Sequence, residues 1–207
     1  MNHSIGKLLA SFFALVLLTG SCKNQEKKEE AAIVPVSMDT AATKQNYMPI
    51  QVILQGELKW VEDYAGAILL KSSSENKKDS AYISLDQFKQ LGKSVISSDL
   101  DSAYFNEHFK EESIVDAASN GLTFVYTGAD TREVKKVMAY ITRTETSDKV
   151  GRVYFERAFT SGDTAIVQRC TWKLHHYLMI VSTRQVGNGA STTQVQKAIY
   201  DPADINE

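Results

Sequence analysis

Apolar and polar positions divide the chain into an early part with helical spacing and a later part that alternates. Ile50, Leu54, Leu58, Val61, Ala65 and Ile68 recur at three- to four-residue steps, the spacing of an amphipathic helix. Gly56 and Gly66 weaken that pattern and leave 50–55 open to a strand. Residues 69–72 and 80–83 flank a polar segment and predict a hairpin. Ser84-Leu85-Asp86-Gln87 matches a capping box, after which Leu85, Phe88, Leu91 and Val95 mark a helix face. Ser98-Asp99 predicts the cap of a further helix carrying Leu100, Tyr104 and Phe105. From Leu122 the period becomes two, and 122–127, 134–143, 150–159, 165–173 and 177–186 read as consecutive strands. Ser161-Gly162-Asp163-Thr164 suits a two-residue loop that pairs Phe159 with Ile166 and Phe155 with Cys170. A tight turn at Leu174-His175 then pairs Trp172 with Tyr177 and Cys170 with Met179.

In those registers one face gathers Met138, Tyr140, Val153, Phe155, Phe159, Ile166, Cys170, Trp172, Tyr177, Met179 and Val181. A slip of one residue would scatter them. The expected fold is α+β, with N-terminal helices packed on one face of a C-terminal antiparallel β-meander. It forms a single domain over 48–200, followed by a tail at 201–207. The opposite face carries Val137, Ile141, Tyr154, Val167, Leu178 and Ile180 among Arg143, Arg152, Arg169, Lys173 and Arg184. Arginine forks hold carboxylates and phosphates bidentately. Arg143, Arg152, Tyr154, Arg169, Lys173 and Arg184 are therefore the candidate binding face. The alternative is a half-solvated sheet face whose long basic stems lie over apolar neighbours.

The start of the chain follows a different pattern. Lys7 precedes the apolar stretch 8–18, and Thr19, Gly20 and Ser21 lead to Cys22. A basic start, a short apolar core and small residues read as a secretory signal over 1–21. The apolar stretch is shorter than the ~20 residues needed to span a bilayer. Leu18-Thr19-Gly20-Ser21-Cys22 resembles the lipobox of bacterial lipoproteins, although Thr19 stands where Leu is commonest. The resemblance implies a diacylated Cys22, with cleavage after Ser21 by an ordinary signal peptidase as the alternative. Residues 22–47 then form a polar tether. Lys23 does not match the aspartate that retains lipoproteins in the inner membrane. Signal, lipobox, tether and a helix-first, sheet-last domain together resemble the small, functionally uncharacterised lipoproteins of Bacteroidota. That implies an outer-membrane protein anchored through lipid, with the leaflet open.

Composition adds little to this. The 207 residues carry 23 basic and 25 acidic side chains. Removing 1–21, which holds Lys7 and no acid, changes the formal charge to (23 − 1) − 25 = −3. No nucleic-acid partner is expected from that balance. Cys170 alternates onto the apolar face and reads as a buried thiol. His175-His176 has no Cys, Asp or Glu within four residues and reads as an exposed hairpin tip, and His108 with Glu111 and Glu112 as a surface helix end. Glu62-Asp63, Asp99/Asp101 and Glu111-Glu112 read as solvated or capping charge, and the Gly187–Ser191 stretch as an exit loop. No catalytic constellation, metal site or cofactor is expected. The function expected is a binding module for a protein or acidic ligand in the envelope. The alternatives are an envelope hydrolase with an unrecognised site or a lipid carrier.

Overall fold

A computed structural model describes residues 47–75, 77–116, 121–143 and 147–205. The expected signal peptide, Cys22 and the tether up to residue 46 lie outside the described residues. In chain order the elements are α1 (Ile50–Tyr64), β1 (Ile68–Ser74), β2 (Lys77–Ile83), α2 (Leu85–Val95), a 3-10 turn (Ser98–Leu100), α3 (Ser102–His108) and β3 (Phe109–Asp116). They continue with β4 (Gly121–Gly128), β5 (Val134–Arg143), β6 (Asp148–Ser161), β7 (Thr164–Lys173), β8 (Tyr177–Val186), β9 (Ser191–Ile199) and α4 (Pro202–Ile205). Strands take 55% of the described residues and helices 26%, so the protein is mostly β rather than an even α+β mixture.

The helices form near where the spacing predicts them, except that Ile68 opens β1 and Leu100 lies in the 3-10 turn and not in α3. α1 runs through Gly56 and ends at Tyr64, one residue short of the extended Ala65. Ile50, Leu54, Leu58 and Val61 lie on its buried side. α2 opens on a complete capping box: the Ser84 hydroxyl accepts the Gln87 amide at 3.2 Å, and the Gln87 side chain accepts the Ser84 amide at 2.8 Å. The expected cap at Ser98-Asp99 is displaced. Ser97 caps the 3-10 turn, and Asp101 caps α3 through the Ala103 amide.

All nine strands join one antiparallel sheet in the order β2-β1-β9-β8-β7-β6-β5-β4-β3. β3 to β9 form a continuous meander, and the β1–β2 hairpin completes the sheet against β9. Two strands were not expected. β3 occupies residues read as the end of a helix, and β9 follows the Gly187–Ser191 loop. One face of the sheet shares a single core with the helices. There Val137, Val153, Phe155, Cys170, Trp172, Leu178, Ile180 and Ala198 meet Leu54, Leu58, Phe88 and Phe105.

The predicted β6–β7 register holds, with Phe159 opposite Ile166 and Phe155 opposite Cys170. The β7–β8 register is one residue off, because Trp172 pairs with Leu178 and Cys170 with Ile180. The turn takes three residues, with His175 in the left-handed region at φ 66°. Leu178 and Ile180 therefore face the core, while Tyr177, Met179 and Val181 face the open side. β5 is exchanged in the same way: Val137, Ala139 and Ile141 are buried, and Met138 and Tyr140 are on the open side.

Candidate functional site

Cross-strand partners point to the same side of a sheet, so the registers place every side chain of the open face. One row across it runs Leu69, Ile199, Tyr177, Lys173, Arg152 and Tyr140. The next runs Ser80, Lys71, Lys197, Met179, Thr171, Tyr154 and Met138. A third carries Val195, Val181, Arg169 and Glu156. Of the six expected residues, Arg152, Tyr154, Arg169 and Lys173 lie here together. Arg143 and Arg184 do not, because they continue the buried alternation of Ile141 and of Ser182 and project from exposed strand ends on the helix side.

The four residues that share the face differ in how far they are committed. Arg169 is matched by Glu156, with Nε 3.2 Å from Oε2, and the Tyr154 hydroxyl donates to the same oxygen at 3.2 Å. Burial, and then the Glu156 carboxylate, pushes the Tyr154 phenol above its ordinary range. Arg152 stacks over the Tyr140 ring with Cζ 3.8 Å from the centroid. Lys173 stands 5.9 Å from the Tyr177 ring on one side, and Lys197 stands 4.2 Å from it on the other. Arg152 opposes Lys173 directly, and Lys71 opposes Lys197 directly. Five neighbouring strands thus carry a cationic band, Arg152, Lys173, Lys197 and Lys71, with Tyr177 at its centre. It spans about 19 Å at the usual strand spacing. Lys71 and Lys197 went unnoticed because β9 was not expected.

The histidine pair does stand at the β7–β8 hairpin tip, with His175 exposed, and both residues are tied down there. α1 aims the buried Glu57 into the β7–β8 turn, where Oε1 accepts the His175 amide at 2.6 Å and the Tyr200 hydroxyl at 2.8 Å. Tyr200 in turn accepts the Trp172 indole N–H at 3.0 Å. The His175 ring lies on Trp60 at 4.4 Å, with Nδ1 3.4 Å from Glu57 Oε2. Burial, and then Glu57, holds the Tyr200 phenol protonated far above its ordinary range. Sequence reading missed Glu57, whose only local sign is a carboxylate on the apolar stripe of a helix between Leu54 and Leu58.

His176 Nδ1 lies 2.8 Å from Asp201 and 3.0 Å from Asp204. Residues 201–205 are therefore docked rather than a tail, since Tyr200 and Asp201 also donate their amides to the His176 carbonyl. His176, Asp201 and Asp204 offer one donor atom each, all within 4.8 Å of one another. This is the set among the described residues that can hold a cation. His108 ends α3, where it packs on Tyr104, while Glu111 and Glu112 fall on β3 instead of continuing the helix. Lys59 and Lys89 pair with Glu62 and Asp63, and Asp99 accepts the Val134 amide at 3.1 Å. In comparisons with known proteins, no family model, curated protein or solved structure matches the chain.

Proposed function

We propose that the protein is a lipoprotein anchored through Cys22 in the outer membrane, and that its open sheet face holds an acidic partner or ligand in the envelope. The lipobox-like run before Cys22 supports the anchor. The observation that carries the binding role is the band Arg152, Lys173, Lys197 and Lys71, which sets two like-charge pairs directly across neighbouring strands. Like charges in such positions oppose sheet formation; Asp204, 3.9 Å from Lys173, offsets part of this, and an acidic partner relieves the rest. A chain of acidic net charge can present a basic surface in this way, because these four side chains are gathered in neighbouring positions.

Crosslinking in intact cells tests both halves. Cys22→Ser is expected to abolish fatty-acid labelling and release the protein from membranes. Arg152→Gln with Lys173→Gln is expected to lower partner yield by about ten-fold, the scale of one or two lost charge-assisted hydrogen bonds, with protein level unchanged. An unaltered crosslink pattern in the double variant would overturn the binding face, and continued membrane attachment of Cys22→Ser would overturn the anchor.

A further inference from the structure

At the β2 end of the open face, β2, β1 and β9 present two registered rows. Ser80, Lys71 and Lys197 form the first, and Lys78, Ser73 and Val195 the second. Together they line a hollow of about 510 Å³, a volume usual for small-molecule sites. Lys71 and Lys197 are directly opposed and only half exposed, and Lys78 stands diagonal to Lys71. Among the described residues, none of the three has a carboxylate within ion-pair distance. Asp79 also borders the hollow, but one of its oxygens accepts the Ser80 amide at 2.9 Å.

Lysines on an edge strand deter unwanted strand pairing, and that is reason enough for Lys77 and Lys78 on β2. It does not account for Lys71 and Lys197, which sit on interior strands. Both line one hollow, Lys197 with its ammonium 4.2 Å from the Tyr177 ring at the hollow's β8 side, and Ser73 and Ser80 add hydroxyl groups to the lining. The complement is an acceptor-only group with more than one negative charge. Val195 is the one apolar residue among those that line the hollow, and the lysine stems add methylene surface beside it.

We propose that this hollow binds a small soluble molecule through a phosphate or diphosphate group, held by Lys71 and Lys197 with Lys78 at the rim. The proposal rests on the open face being the binding surface and names the chemistry taken at one end of it. Calorimetric titration of the full chain with inorganic pyrophosphate at low salt provides the test. Wild type is expected to bind saturably, and Lys71→Gln with Lys197→Gln to weaken binding at least about ten-fold. The unliganded double variant is expected to melt no lower than wild type, because the like-charge opposition is gone. Lys78→Gln, at an exposed edge position, gives a second reading if the double variant misfolds, with a smaller loss of affinity expected.

Arg152→Gln with Lys173→Gln is expected to keep pyrophosphate affinity within about two-fold, which separates the hollow from the rest of the band. No binding by wild type, or equal binding by the lysine variants, overturns the proposal. So does binding by full-chain Cys22→Ser to phosphatidylglycerol vesicles without binding to pyrophosphate. Failure here with the crosslinking result intact removes the hollow and leaves the band, whereas the opposite pattern removes the band alone.

Discussion

The thiol of Cys170 lies in the core between Phe155 and Ile180 on the neighbouring strands. Burial pushes its pKa from 9.0 up to about 12, against a smaller opposing pull from the Arg157 guanidinium. A folded-state pKa above the unfolded one means that the unfolded chain releases this proton first as pH rises. The stabilisation is therefore whole below about pH 9 and is lost progressively towards pH 12. Tyr126 and Tyr200, both raised chiefly by burial, extend the loss above their ordinary pKa of 10.0. The denaturation midpoint is expected to fall steadily from pH 9 to 11, and Cys170→Ala to remove the thiol's share of that slope. In wild type, alkylation of Cys170 at pH 8.5 is expected only once denaturant unfolds the chain. Equal labelling of folded and unfolded protein would contradict its placement.

At the level of elements, the β7–β8 turn is where helix, sheet and C-terminal segment are fastened together. Glu57 of α1 receives the amide of His175 and the hydroxyl of Tyr200, which lie 118 and 143 positions away in sequence. Glu57→Ala takes the acceptor from the part-buried His175 amide and leaves the buried Tyr200 hydroxyl only the Lys173 carbonyl at 3.5 Å, and is expected to cost about 2 kcal/mol of stability. Glu57→Gln keeps an accepting oxygen and is expected to cost about half as much. Urea unfolding of both variants checks this, and equal midpoints for the two would show that the carboxylate's hydrogen bonds do not matter.

This turn also marks the limit of what sequence could reveal. α1, the β1–β2 hairpin, the capping box and the β6–β7 register were legible because each has a local signal: helical spacing, flanking turn residues, a Ser–Gln pair and Gly162 at φ 63°. β8 reads Tyr-Leu-Met-Ile-Val, apolar on both parities, so alternation alone cannot select its face. The selection comes from the left-handed His175 and from Glu57, both set by tertiary contacts. β5 fails the same way, with bulges near Val134 and Tyr140 added. β3 and β9 are largely polar and offered no strand pattern. Four of the six candidate residues kept their shared face because they lie on β6 and β7. Lys71 and Lys197 needed a strand that the pattern did not reveal.

For the molecule as a whole, the sheet's order makes β9 the seam between hairpin and meander. β1 pairs Leu69 with Ile199, so partners 130 residues apart must meet. Truncation after residue 190 is expected to leave the β1–β2 hairpin unpaired and to abolish cooperative unfolding. The lost strand carries Lys197, and the removed segment also includes Tyr200, which receives the Trp172 N–H. Adding a peptide of residues 191–205 is expected to restore a cooperative melt by strand addition, seen by near-ultraviolet circular dichroism. A truncated chain that melts cooperatively alone would refute the seam.

The position of β9 also sets a rule for how the fold can be completed in time. Polypeptides are made from the N-terminus onward. A growing chain holds α1 and its hairpin without the strand that pairs with β1 until residues near Ile199 have been made. Because such distant pairing is slow, the β1–β9 seam is expected to be the last part of the sheet to close.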